Sequence, residues 1–121
     1  MNYMLLIYDD ERNSGPLHEG QTFDEAMDLC GGLVDRLRDR GQYLSAGILQ
    51  PTPSATSLRL RDGQRLVTDG PFAETREQLA GYLMVAAKDL DEALAIAAEH
   101  PIAKTGTVEV RPLFGMPSTP Q

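Results

Sequence analysis

Residues 66–82 read LVTDGPFAETREQLAGY, a passage that leaves one strand, turns a sharp corner and enters the most apolar strand of the chain. Gly70 accepts a positive φ without a side-chain clash, while Pro71 fixes its own φ and drives the residue before it out of the helical region. Asp69 therefore stands at a rigid corner. A carboxylate there has three uses: acceptor for the amides of its own turn, acceptor for a ligand, or general base.

Working outward, residues 57–61 and 65–68 flank Asp62-Gly63, a strong hairpin signal. A three-residue loop would place Leu58, Leu60 and Leu66 on one face and Arg59, Arg61 and Arg65 on the other, where they form either a solvated face or a receiver of anions. Past the corner, residues 73–79 suit one loose helical turn, on which Glu74 and Glu77 are either paired carboxylates or surface charges. Residues 81–87 form a strand. Asp89, three residues before Glu92, caps a helix whose inner stripe is Leu90, Ala93, Leu94 and Ala97, and Pro101 stops it. Residues 107–113 alternate as a last strand, and 116–121, with two prolines, read as a flexible tail.

Toward the amino end, residues 3–8 are a short apolar run closed by Asp9, Asp10 and Glu11, the pattern of a buried strand. Turn formers dominate 12–21. Thr22 and Glu25 then make a capping box, and Phe23, Ala26, Met27, Cys30, Val34 and Leu37 recur at helical spacing, predicting a helix over 22–40 that ends at Gly41. Gly31 and Gly32 inside it cost up to about 1 kcal/mol each relative to Ala, so a close backbone approach to a strand is expected there. A second strand over 43–49, interrupted by Gly47, and a proline-bearing crossing over 50–56 complete the series.

The order strand, helix, strand, hairpin, strand, helix, strand is an α+β plan, the ferredoxin-like split β-α-β with an inserted β-hairpin, in one domain over 1–115. Two helices cover one sheet face. The first strand is nevertheless apolar on both, Met4, Leu6 and Tyr8 being opposed by Tyr3, Leu5 and Ile7, and residues 82–87 repeat the pattern. A second copy of the chain is the simplest cover, so a homodimer is expected.

Composition narrows the function. A chain of 121 residues, 41% hydrophobic, buries roughly two thirds of its unfolded surface without a disulfide or metal. Its net charge of -7 argues against a nucleic-acid groove or an anionic membrane surface, both of which favour excess Lys and Arg. Cys30 is the sole cysteine and reads as buried filler. The start MNYMLLIYDDE has no basic region and no long apolar stretch, which favours a cytoplasmic strand over a signal peptide. His18 and His100 are too far apart for a metal-ligand pattern, and phosphate loops and nucleophile elbows are absent, so neither metal nor cofactor is expected. His100 falls at a helix carboxyl end, where a partial positive charge suits the dipole.

Met4-Leu5-Leu6-Ile7-Tyr8, Ala46-Gly47 with Leu49-Gln50-Pro51, Arg61-Asp62-Gly63, the run from Val67 through Asp69-Gly70-Pro71-Phe72 to Thr75 with Glu77-Gln78-Leu79, Asp89-Leu90-Asp91-Glu92-Ala93 and Val108-Glu109-Val110-Arg111-Pro112 together resemble the YCII-related proteins of the DGPF type. The resemblance implies a dimeric α/β barrel made of two ferredoxin-like units, of mostly unassigned activity. It also implies a link to sigma factors of the extracytoplasmic-function class. Some broader relatives use a histidine and an aspartate in dehydrochlorination. Their histidine lies near the start of the first helix, where Phe23, Asp24 and Glu25 stand here.

Alternation in the last strand gives Val108 and Val110 to the helices and points Glu109 and Arg111 toward the dimer cavity. With Asp69 as acceptor, Phe72 as aromatic wall and Arg111 as clamp, the expected site takes a small anionic or polar ligand; the structural alternative is an Arg111 ion pair with Glu109 or Asp69 that fixes the interface. Two functions of different class follow. One is a ligand-binding or accessory dimer; the other is an enzyme of proton transfer or elimination with Asp69 as base, in which His18 is expected to stay outside the cleft.

Overall fold

The computed structural model describes residues 1–12 and 32–115. Strands β1 (Asn2–Asp10), β2 (Tyr43–Ile48), β5 (Glu77–Ala86) and β6 (Thr107–Pro112) form one sheet in the order β2-β5-β1-β6, and all its neighbours run antiparallel. β3 (Thr56–Arg61) and β4 (Gln64–Asp69) pair only with each other. Helices α1 (Leu33–Asp39) and α2 (Leu90–Ala98) supply the second layer. This α+β arrangement is consistent with the ferredoxin-like split β-α-β expected from the sequence.

Alternation decides which half of each strand meets the helices. Tyr3, Leu5 and Ile7 of β1 and Leu83 and Val85 of β5 are buried with Leu33, Val34 and Leu37 of α1 and Ala93, Ile96 and Ala97 of α2, while Val108 and Val110 pack against that core. The valine face of β6 therefore belongs to the helices, as its sequence alternation requires. On α2 the inner stripe is Ala93, Ile96 and Ala97; Leu90 and Leu94, expected inside, are about half exposed. Small alanines let the helix lie close to the sheet, and Ile96 is the long side chain that fills the gap.

Helix ends follow their caps. Asp89 accepts the Glu92 N–H at 2.9 Å, as the sequence indicates. At the end of α1, Gly41 has φ 71, its N–H donates to the Arg38 carbonyl and that of Gln42 to the Leu37 carbonyl, a Schellman closure. An unbroken helix over 22–40 is not formed: Gly32 has φ 75, a left-handed conformation that no helix interior holds, and α1 starts after it. Gly32 thus serves a turn rather than a close approach. The capping box at Thr22 and Glu25, Cys30, His18 and the 116–121 tail lie outside the described residues.

Close approach occurs at β2 and β5 instead. A Cβ on Gly81 would sit 2.6 Å from the Gly47 carbonyl oxygen, and one on Gly47 would meet the Tyr82 ring at 2.5 Å. Gly47, opposite Tyr82 in the register, leaves room for that ring to cross β2 on the face turned away from the helices. Residues 73–79 hold no helical turn, for β5 already begins at Glu77. Gln78 Nε2 donates to the carbonyls of Ala73 at 3.1 Å and Thr75 at 2.9 Å, so its amide takes the role of a helical ladder in the corner loop.

Register in the hairpin also differs from expectation. Asp62 and Gly63 have φ 51 and 76, so the loop is a two-residue turn with both central φ positive, and Arg61 pairs with Gln64. One residue fewer in the loop moves every β4 side chain to the other face. Leu58, Leu60, Val67 and Arg65 consequently share one face, and Arg59, Arg61 and Leu66 the other.

Gly81→Ala is expected to destabilise the fold by about 1–3 kcal/mol, since backbone atoms cannot step aside as a flexible side chain would. A thermal melt should fall by about 4 °C for each kcal/mol, whereas Gly115→Ala, whose new Cβ meets nothing within 4 Å, should leave the melt within about 0.5 kcal/mol of wild type.

Candidate functional site

The face of the sheet opposite the helices carries Met4, Leu6 and Tyr8 from β1, Tyr82 and Met84 from β5, and Thr107, Glu109 and Arg111 from β6. The register sets Leu6 beside Tyr82 and Glu109, and Met4 beside Met84 and Arg111. Every one of these apolar side chains is only half-buried, with no element of the described chain laid over them. A bulge between Ile7 and Tyr8 turns Leu79 toward Tyr8 and extends the apolar surface toward the corner loop.

Glu109 and Arg111 form an ion pair on this face, the guanidinium Nε donating to Oε2. That hydrogen bond and the Glu109 charge push Arg111 further above its usual pKa, with Tyr8 adding a smaller contribution. Of the two alternatives drawn from the sequence, an Arg111–Glu109 pair is therefore present, and 70% of the Arg111 side chain remains exposed to a ligand or a neighbour. At the same edge Thr107 Oγ1 donates to Glu77 Oε1 at 2.7 Å. Glu77 thus belongs to the sheet, and Glu74 stays exposed in the corner loop; they do not pair as carboxylates.

At the Asp69-Gly70 corner, Gly70 has φ 106, as a residue free of Cβ permits. Its N–H donates to the Ala55 carbonyl at 2.7 Å and its carbonyl accepts from Ser57 Oγ at 2.8 Å. The corner is held by these bonds, and the Asp69 carboxylate, exposed opposite Thr56, accepts none from the described residues. Phe72 is 77% exposed, with the Arg59 guanidinium 4.8 Å from its ring centroid. Among the described residues no hydrogen bond, ion pair or ring contact links Asp69 or Phe72 with Glu109 or Arg111. Arg61 and Arg65 are exposed on opposite hairpin faces.

Two titratable groups were not legible as they stand. His100 is buried, not a solvated helix-end cation: Nδ1 accepts the Ile102 N–H at 3.1 Å, and burial lowers its pKa. Asp10 ends β1 and receives Arg12 in a two-pronged contact, Nη2 at 2.6 Å and Nε at 3.0 Å; these hydrogen bonds hold its carboxyl at about 2. Nothing in the sequence separates this pair from an ordinary acidic loop start. Among the described residues no group of His, Cys, Asp and Glu could hold a metal, and no helix is long and apolar enough to cross a membrane.

The family model of the YCII-related domain matches residues 1–117. An uncharacterized protein of Rhizobium meliloti (strain 1021) is 36% identical over 115 residues, covering 93% of this chain and 92% of the relative.

The signs of the two shifts are the same. The lowered His100 value means that the unfolded chain takes up protons first, so stability is full above the unfolded value near 6.5 and falls as pH drops from there toward the lower folded value. Asp10 keeps its contribution above the ordinary carboxylate value near 4 and loses it as pH falls toward 2. Urea titrations of His100→Gln should therefore show a flatter stability profile between about pH 6.5 and 5 than wild type, and Arg12→Ala should return Asp10 toward the ordinary carboxylate range by NMR titration.

Proposed function

The chain belongs to the YCII-related domain family, and from that premise we propose that it works as a homodimer whose open sheet faces meet and hold a small anionic or polar ligand between them. One observation carries this reading: Met4, Leu6, Tyr82 and Met84 make a continuous apolar surface on the side of the sheet that neither of the described helices covers. A surface of that kind marks an interface, and a sheet meeting its own copy is self-complementary about a two-fold axis, closing a dimeric α/β barrel.

Glu109 and Arg111 sit on that surface, so a second copy would desolvate them. Buried charges are tolerated only when paired, hydrated or bound to a ligand. Arg111 already holds Glu109 through Nε, which leaves its terminal nitrogens to clamp an anion. Asp69 and Phe72 supply an acceptor and an aromatic wall from the hairpin corner. In this reading Asp69 binds rather than catalyses, because no second acid or base of the described residues reaches it. The accessory role beside a sigma factor that the resemblance implies uses the same dimer with a protein as its ligand.

Sedimentation at micromolar concentration is expected to give about 26 kDa, twice the chain mass of 13.2 kDa, and Leu6→Asp or Met84→Asp should shift this to the monomer while cooperative unfolding persists. A wild-type monomer contradicts the reading. Calorimetric titration with inorganic phosphate and with malonate tests the site: binding lost in Arg111→Ala with the dimer intact supports it, and loss of the dimer alone assigns Arg111 to the interface.

A further inference from the structure

The hairpin is short of cover. A two-stranded ribbon alone is marginally stable in water, yet all residues of β3 and β4 except Ser57 are exposed, among them Leu58 at 55%, Leu60 at 64% and Val67 at 58%. Its two faces are unlike each other. On one, the Phe72 ring folds back under Arg59 beside Leu66. On the other, Leu58 stands directly opposite Val67, Leu60 lies two residues along, and Arg65 is their charged neighbour, with none of the described residues laid over them.

From this we infer that the Leu58, Leu60 and Val67 face of the hairpin is an arm that clasps a second copy of this chain at the rim of the open sheet face. The inference rests on the proposed dimer and adds to it a second, separate contact. Three features favour a second copy as the occupant. Four strands about 4.8 Å apart and six residues long offer a footprint of about 400 Å², well under the roughly 800 Å² per partner of a standard interface, so the sheet face needs additional surface. The hairpin leaves β2 beside Gly81 and returns at Glu77, so it is rooted at the end of the sheet where the apolar face runs toward Leu79. Charge bears on it at one point: of the three hairpin arginines Arg65 alone lies on the bare face, two residues from Val67, with Asp69 at that face's far end. Arg65 on the bare face suits Glu77, whose carboxylate accepts the Thr107 hydroxyl on the open side. By two-fold symmetry each chain both gives an arm and receives one.

Hydrogen exchange and sedimentation of the full chain test this together. In wild type the β3 and β4 amides should be protected, and the Leu6→Asp monomer should lose that protection by at least tenfold in exchange rate. Leu58→Ser/Leu60→Ser should weaken dimerisation at least tenfold. Arg65→Glu, an exposed charge change that leaves the ribbon intact, should weaken it several-fold and remove part of its salt dependence. A wild-type dimer unaffected by both hairpin variants, with hairpin amides exchanging equally in wild type and in Leu6→Asp, overturns the arm and leaves the sheet-face dimer standing. A wild-type monomer overturns both.

Discussion

The two described helices cover one face of the four-stranded sheet and leave the other open. Everything else in this fold follows from how the chain meets that constraint. On one side the sequence fills the space with Leu5, Leu33, Leu37 and Val85, all fully buried, and thins α2 to alanines so that it lies close. On the other it places methionine, leucine and tyrosine where most single-layer sheets would show Thr, Lys or Glu. Gly47, bare of a side chain, lets the Tyr82 ring lie across that surface, while Gly81 admits the close Gly47 carbonyl. Building such a face and leaving it in water would forfeit its apolar contribution, which is the physical ground of the proposed dimer.

The main sheet, the helix after Asp89 and the carboxyl-terminal part of the helix expected over 22–40 could be read from the residues because each signal there is local and strong. Doubly apolar strands, the Asp89 cap and the Gly41 stop each depend on a few neighbouring side chains. The misread features turn on finer geometry. Asp62-Gly63 is compatible with two-residue and three-residue loops, and only the backbone decides between them, yet that one residue moves Arg65, Leu66 and Val67 to the other hairpin face. A glycine in a helical pattern signals either close packing or a left-handed turn, and Gly32 takes the second. Residues 73–79 carry helix formers, but pairing of Gln78 with Asp9 and of Glu77 with Asp10 outweighs that propensity.

Site chemistry was legible in its alternation and not in its contacts. Period-two spacing was enough to put Glu109 and Arg111 on the open face, opposite Leu6 and Met4. The corner sequence was enough to set Gly70 at positive φ but not to show that Ser57 and Ala55 hold it, which leaves the Asp69 carboxylate outward. His100 shows the same gap from the other side: helix-end position suggested a cation, whereas burial and the Ile102 N–H call for a neutral ring. Distances of a few ångströms between groups far apart in the chain decide such matters.

The most direct measurement of the proposed cover is an isotope-filtered NMR experiment on a mixed sample of 13C-labelled and unlabelled chains. If two open sheet faces meet, the Met4 and Met84 ε-methyl protons of a labelled chain will show NOEs to Leu6 and Tyr82 protons of an unlabelled one. Absence of all intermolecular NOEs from these methyl groups, in a sample sedimenting at 13.2 kDa, would contradict a sheet covered by its own copy.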